Sequence, residues 1–513
     1  MTSGHLEVEA KYDVGHDFVL PSLEGLDGVA TVDPPVEHGL EAVYHDTADL
    51  RLLRARVTLR RREGGPDAGW HLKLPAGAAR RELHAPLGRA VKRPPRALVA
   101  PVVGLLRGAP TGPVATLRTR RVVTVLRDAD GRVLAEVADD TVSATALADG
   151  AGRPAEAHTW REVEVELGDG DATLAAAVGE RLTAAGARPS AAASKVGRVL
   201  ARRLPQEDAP AGRGGKKEGP RAGEFVRTAL REQLADLGAA DVRLRTEQPD
   251  AVHQVRVAAR RLRSTLAAFR NVLDREATRP LREELAWLGR VLAQARDDEV
   301  ALARLRAVVA AEPDELVIGP VAARLQQHQL REERAGLDRA LETLSGPRYL
   351  RLLDGLHGLV SDPPFTERAA GRLQPALRDA VRRSVRRLRR HIRSARRAPE
   401  ADRQQALHAV RKAAKRVRYA TRIAAPELGG AKDVVRSAKR IQQVLGEAQD
   451  TVVTRELCRR FGIAAFAEGE NAFTFGRLHA LEQARAEQAE RAFWELEPEV
   501  RPVLKKAARQ RAS

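Results

Sequence analysis

One cysteine, Cys458, stands in 513 residues. No internal disulfide can brace the chain, and its scarcity fits a reducing compartment in which the thiol is buried or incidental. Aromatic residues make up 3% of the chain, too few for the stacking platforms on which single-stranded nucleic-acid binders seat successive bases. Nowhere do 18 uncharged apolar residues run together, and the N-terminus, MTSGHLEVEA, has neither a basic n-region nor an apolar h-region. The sequence therefore predicts no membrane span, no signal peptide and a cytoplasmic location. Acidic residues are in deficit as well, 69 against 88 Lys and Arg, for a formal net charge of +19. An uncompensated positive field attracts polyanions. With so few aromatics, a phosphate backbone without bases suits this chain better than nucleic acid, which stays as a weaker alternative.

Length alone predicts two to four domains. Up to about residue 200 short runs alternate apolar and polar positions, as in HLEVEAKY, RVTLRRR, GWHLKL, RVLAEVADD and REVEVEL, separated by Gly, Pro and Asp turns. This is a β-rich domain over 1–202, with one helix expected near 171–187. Residues 203–222 are rich in Pro, Gly and charge and read as a flexible linker. Beyond it, over 223–505, long Ala/Leu/Arg/Glu segments follow helical spacing, with breaks near 249, 280, 312, 345, 363, 399 and 426, before a basic tail at 506–513.

The helical half repeats itself. AVHQVRVAARRLRS around His253 and ALHAVRKAAKRVRY around His408 both fit H-x-x-R-x-x-x-[RK]-x-x-R. LAQARDD, reaching Asp297, and LGEAQDT, reaching Asp450, follow 44 and 42 residues after the respective histidines. On a helix His253, Arg256, Arg260 and Arg263 fall within an arc of roughly 80° and a length of about 15 Å, and so do His408, Arg411, Lys415 and Arg418. Like charges at these spacings weaken an isolated helix. A solvated basic face would explain one such stripe, but its recurrence with the histidine in register points to anion binding. Residues 371–420 add 17 Lys or Arg against 3 acids, and the planar guanidinium can take phosphate oxygens two at a time. Each histidine can act as a neutral donor or gain a proton beside phosphate.

On these elements the half from about 223 to 505 resembles a CHAD domain, the conserved-histidine α-helical domain. The resemblance implies two four-helix bundles related by a pseudo-twofold, whose basic stripes face a shared groove that binds inorganic polyphosphate. It gives Asp297 and Asp450 the task of orienting arginines, since an acid facing polyphosphate would repel it.

In the β half, Glu7, Glu9 and Lys11 alternate with Val8 and Ala10 and project to one face of a strand. Arg60 and Arg62, Lys73, Arg80 and Glu82, Arg118 and Arg120, and Glu162, Glu164 and Glu166 keep the same period. One such strand is an ordinary solvent face. Several in succession predict a closed antiparallel barrel with a charged lumen.

That lumen resembles the CYTH, or triphosphate tunnel metalloenzyme, family, through EVEAK at 7–11, LRRR at 59–62, the lysine of HLKLP, R-x-E at 80–82, TR at 119–120, EVEVE at 162–166 and SK at 194–195. The resemblance covers about residues 3–201 and implies a tunnel holding a linear triphosphate. It makes Glu7, Glu9 and Lys11 catalytic, and Glu7, Glu9, Glu162 and Glu164 ligands of Mg²⁺ or Mn²⁺. Asp140 would complete the metal shell, with its neighbour Asp139 left as a competing choice. Lys11, Arg60, Arg62, Lys73, Arg80, Arg120 and Lys195 would clamp phosphates. Family activities include adenylate cyclase, thiamine triphosphatase and inorganic triphosphatase. Few aromatics near these motifs favour inorganic triphosphate or polyphosphate over a nucleotide. The expected fold is thus an α+β two-domain chain, and the expected function is metal-dependent hydrolysis in the tunnel with polyphosphate held by the helices. A non-catalytic polyphosphate-binding protein of polyphosphate granules is the alternative.

Overall fold

The computed structural model describes residues 3–77, 79–88, 93–150, 152–204, 221–425 and 427–509. The chain forms two compact units, Met1–Ala209 and Pro210–Ser513. Most of the stretch expected as a linker, 203–222, lies outside the described residues, as does the end of the basic tail.

The first unit carries strands β1 (Ser3–Glu7), β2 (Glu9–Val14), β3 (Thr31–Val32), β4 (Val36–Asp46), β5 (Thr58–Glu63), β6 (Gly69–Ala76), β7 (Ala79–Pro86), β8 (Gly112–Arg127), β9 (Val133–Ala146), β10 (Glu156–Leu167) and β11 (Arg188–Pro189). All pairings are antiparallel, in the order β1-β7-β6-β5-β4-β8-β9-β10-β2-β11, with β3 on β8. The hydrogen-bonded path is open, which corrects the expectation of a closed barrel. At Val8 one N-terminal run changes partner, from β7 to β10. The covalent chain, not a ladder, bridges the two sides there.

Helices α1 (Arg51–Arg54), α2 (Arg96–Val99), α3 (Val103–Leu106), α4 (Ala172–Ala184) and α5 (Lys195–Val199) accompany the sheet. Asp171 starts α4 by accepting from the backbone N–H groups of Thr173 and Leu174 at 2.9 and 3.0 Å, and Leu174, Val178 and Leu182 face the sheet. Against them pack Leu126, Val137, Val163 and Val165, with Ala10, Tyr12 and Val14 at the edge. Burial of each such aliphatic side chain is worth roughly 1.5–3 kcal/mol. Because strand side chains alternate, covering this face commits Glu9, Lys11, Asp140, Glu162 and Glu164 to the other.

The second unit comprises α6 (Ala222–Arg245), α7 (Ala251–Ala268), α8 (Arg279–Val291), α9 (Ala293–Val309), α10 (Val321–Ser345), α11 (Pro347–Ser361), α12 (Leu373–Arg397), α13 (Glu400–Ala424), α14 (Ala431–Ala467) and α15 (Phe473–Arg509). A break the sequence reading did not include falls between α14 and α15, where Gly469 takes a left-handed φ of 77°. One apolar core runs through both repeats, from Val255 and Leu262 of α7 to Val410 and Val417 of α13. In α12, Leu377, Val381, Val385, Leu388 and Ile392 keep helical spacing toward that core, which leaves its arginines to the remaining faces. The two histidine helices, α7 and α13, pack against one another. Among the described residues no helix is long and apolar enough to cross a membrane.

Candidate functional site

In the first unit three carboxylates converge. Glu162 of β10 pairs in register with Asp140 of β9, Glu164 follows two residues on, and ligand oxygens of all three lie within 4.8 Å of one another. The Asp140 and Glu162 side chains are 0% and 3% exposed, that of Glu164 12%. Lys195, at the start of α5, places its ammonium 2.9, 2.7 and 2.6 Å from Asp140, Glu162 and Glu164. Ser194 caps that helix and so fixes where the lysine begins its reach. Trp160 donates its indole N–H to Glu162 at 2.5 Å.

Further bases ring the triad. Lys11 bridges Glu9, at 2.9 Å, and Glu164, and Arg80 reaches Glu9 from β7 at 3.6 Å. Lys73 lies 2.5 Å from Glu7 and 3.4 Å from Glu82. Arg60 sits near Tyr44 and Glu82, while Arg62 is buried and paired with Asp67. Burial opposes ionisation of Glu164, yet Lys11, Lys195 and Arg121 hold its carboxyl well below the usual range. Glu7 is the reverse case, pushed up to about 8 by burial and its hydrogen bond to Glu82. Burial, with Arg60 and Arg121 as like-charged neighbours, brings the Arg62 guanidinium down to about 9.

Three placements differ from the sequence reading. Arg120, expected among the phosphate clamps, is exposed and bound to Glu37 at 2.6 Å, and Arg118 is exposed with Glu41 at 3.0 Å. Arg121 takes the inward position instead, at 2.6 Å from Asp140 and 2.5 Å from Glu164. The stretch TRRVV pairs two adjacent arginines with two adjacent valines, so either phase of the strand looked alike; register with Asp140 decides it. Glu7 and Glu9, expected as metal ligands, stand in neighbouring ion pairs rather than in the triad. The choice between Asp139 and Asp140 falls to Asp140, because Asp139 faces the other way and accepts from Arg161 at 2.9 and 2.6 Å. The reading also passed over His71, whose Nδ1 meets Glu82; its spacing of two from Lys73 was the available signal.

In the second unit the stripes of α7 and α13 meet at Tyr419. Its hydroxyl accepts from Arg260 Nε at 2.9 Å and Arg418 Nη2 at 3.3 Å, and the two guanidinium groups lie 5.6 and 5.1 Å from its ring centre. One arginine from each repeat is thus held by a single side chain. In the first repeat Ser264 stands at the matching position, so the motif comparison did not single out the tyrosine. Lys415 lies among Arg411, Arg260, Asp450 and Arg418, and burial together with these cations pushes its ammonium down to about 8. Arg411 lies 3.8 Å from Asp450 and passes over Gly446. Arg256 reaches the Ala293 carbonyl at 3.4 Å. Burial and the nearby Lys412 lower the His408 pKa. His253 keeps its place in the first turn of α7, Arg263 leads toward α8, and the Asp297 side chain lies outside the described residues.

Comparison with known proteins matches the CYTH domain family to residues 5–198 and the CHAD domain family to residues 228–459. An uncharacterized protein of Mycobacterium tuberculosis (strain CDC 1551 / Oshkosh) is 39% identical over 514 residues, covering 98% of this chain and 97% of that protein. Among solved structures, PptA from Streptomyces chartreusis is 22% identical with a TM-score of 0.46, over 54% of this chain and 99% of that one. The CHAD domain from the plant Ricinus communis is 24% identical with a TM-score of 0.43, over 57% of this chain and 93% of that one.

Proposed function

The chain belongs to the proteins that join a CYTH domain to a CHAD domain, and from that premise we propose that it binds inorganic polyphosphate through the helical unit and hydrolyses inorganic triphosphate or polyphosphate ends in the tunnel. The observation that carries the catalytic half is the triad of Asp140, Glu162 and Glu164 set among Lys11, Lys73, Arg121 and Lys195. Acids and bases on one lined face suit a charged ligand that arrives with a hard cation.

The donor set fits such a cation: three carboxylates with oxygens within 4.8 Å of one another match the oxygen preference of Mg²⁺ or Mn²⁺. When bound there, the ion would neutralise phosphate charge and lower the cost of in-line displacement. The chain's own groups do the rest. Lys195, together with Lys11 and Arg121, offsets the charge of the triad, and Lys11, Lys73, Arg60, Arg80 and Arg121 supply donors for phosphate oxygens. Glu9 orients Lys11 and Arg80 toward one another. Positioning and fixed charge account for most of phosphoryl-transfer catalysis.

In the helical unit Arg260, Arg411, Lys415 and Arg418 present donors along one surface, with His253, Arg256, Arg263 and His408 extending it. A linear polyanion fits that surface without base readout, and a protein so equipped would associate with polyphosphate granules. The deciding measurement is phosphate release from tripolyphosphate by purified protein with Mg²⁺, Mn²⁺ or chelator. Metal-dependent release supports the proposal; undiminished release in excess chelator sinks the metal role. No release under any condition, with polyphosphate still bound, leaves the binding-protein alternative.

A further inference from the structure

Arg263 leads from the stripes to cations that the repeat did not point to. It senses the charges of Arg260, Arg290 and Arg282, and Arg416 senses those of Arg387, Arg263 and Arg282. Four helices supply them: α7 packs on α8 and α13, and α13 packs on α12. Arg263 and Arg282 are half-buried, whereas Arg290, Arg387 and Arg416 are exposed. Among the described residues no carboxylate forms an ion pair with any of these five.

That lack is local. On the same α12, Arg382 and Arg383 pair with Asp379, and Arg396 pairs with Glu497. Arg282 Nε is buried without a hydrogen-bond partner. Burial and the surrounding cations lower the pKa of both Arg263 and Arg416. Folding gains nothing from crowding like charges, so the arrangement is better explained by an anion that relieves it.

We propose that Arg282, Arg387 and Arg416, joined to the first stripe at Arg263, form a second anion-binding segment, which takes the continuation of a linear polyphosphate chain beyond the two stripes. It rests on the polyphosphate reading and adds to it a preference for length. Adjacent helices lie roughly 8–10 Å apart, so arginines drawn from α7, α8, α12 and α13 lengthen the surface that the two stripes offer. A few phosphates seated on the stripes do not span it; a long chain does.

The test titrates the full-length protein, in chelator, with a short polyphosphate fraction of about five phosphates and a long one, over several salt concentrations. Arg282→Glu with Arg387→Glu should weaken long-chain binding about tenfold or more and leave short-chain binding within about twofold. By analogy with DNA its salt dependence should become shallower by about two. Arg282→Gln with Arg387→Gln should give the same ordering at smaller size and, by removing repulsion, should not lower the melting temperature of the free protein; it decides the matter if the reversed variant fails to fold. Long-chain affinity unchanged in the variants, or equal loss for both lengths, overturns the segment while the stripes stand. Absence of polyphosphate binding by the wild-type protein overturns the underlying reading and this inference with it.

Discussion

Two lysines show how differently the units hold charge. Lys195 lies within 2.9 Å of three carboxylates, which raise its pKa in spite of burial. Lys415 is half-buried among Arg411, Arg260 and Arg418, with Asp450 the acid that offsets them, and its ammonium is pushed down to about 8. In the first unit, opposite charges on neighbouring strands satisfy one another, so under the proposed function a ligand would exchange those ion pairs for its own and be selected by geometry. On the helices, like charges are held together against their repulsion, so any linear polyanion improves the surface it meets. A balanced lumen suits chemistry on a small ligand; an unbalanced face suits retention of a large one.

Separating the two would be the largest effect. Glu164→Gln, or Glu9→Gln, should reduce tripolyphosphate hydrolysis by about 100-fold or more, within the range that electrostatic groups contribute to catalysis. Long-chain polyphosphate affinity should stay within about twofold. Parallel assays of phosphate release and binding check this, and equal loss of both would show that the functions are not divided between the units.

Charge reversal on either stripe should come next. Arg256→Glu with Arg260→Glu, or Arg411→Glu with Lys415→Glu, should weaken polyphosphate binding more than tenfold and flatten its salt dependence. Arg334 and Arg403 make exposed or partly exposed pairs with Asp338 and Glu490 at 3.6 Å, and their reversal should cost far less, since such pairs are worth about 0–1 kcal/mol. Equal losses for stripes and controls would mean that the partner senses net charge only.

Titration sharpens the contrast between the lysines. With its pKa lowered to about 8 in the free protein, Lys415 loses its charge as pH rises through that value. Bound phosphate restores the ammonium, so binding takes up a proton and weakens with rising pH, by about tenfold at pH 9 if the bound group returns to its ordinary value. Lys415→Arg should remove most of this dependence, as binding curves at pH 7 and pH 9 would reveal; an unaltered profile would assign it to another group.

Smallest is the effect expected at Tyr419. Tyr419→Phe keeps the ring beneath Arg260 and Arg418 but removes the hydroxyl that accepts from both. A loss of about threefold in polyphosphate affinity, near the lower end for a single hydrogen bond, with unchanged tripolyphosphate hydrolysis, would mark it as a positioning residue. No change in binding at any salt concentration would deny it that role.

Much of this architecture was legible in the residues themselves. Alternation in EVEAK and EVEVE, and helical spacing with a repeated histidine motif, distinguish a strand-built half from a helix-built one because side-chain direction has period 2 in the first and 3.6 in the second. The repeat exposed the stripes for the same reason. TRRVV carried no such information: with arginines adjacent and valines adjacent, both phases of the strand bury one valine and expose one arginine.

Local pattern determined, then, which residue types lie on a common face of a strand or helix, and the excess of positive charge set the expectation of a polyanionic partner. Only the tertiary structure decided that Arg121 rather than Arg120 meets Asp140, that the sheet stays open at Val8, and that Tyr419 joins arginines from the two repeats. It alone gathered Arg263, Arg282, Arg387 and Arg416 from four helices. Period is a property of one element, whereas register, strand closure and convergence are relations between elements distant in the chain, set by which faces the core buries.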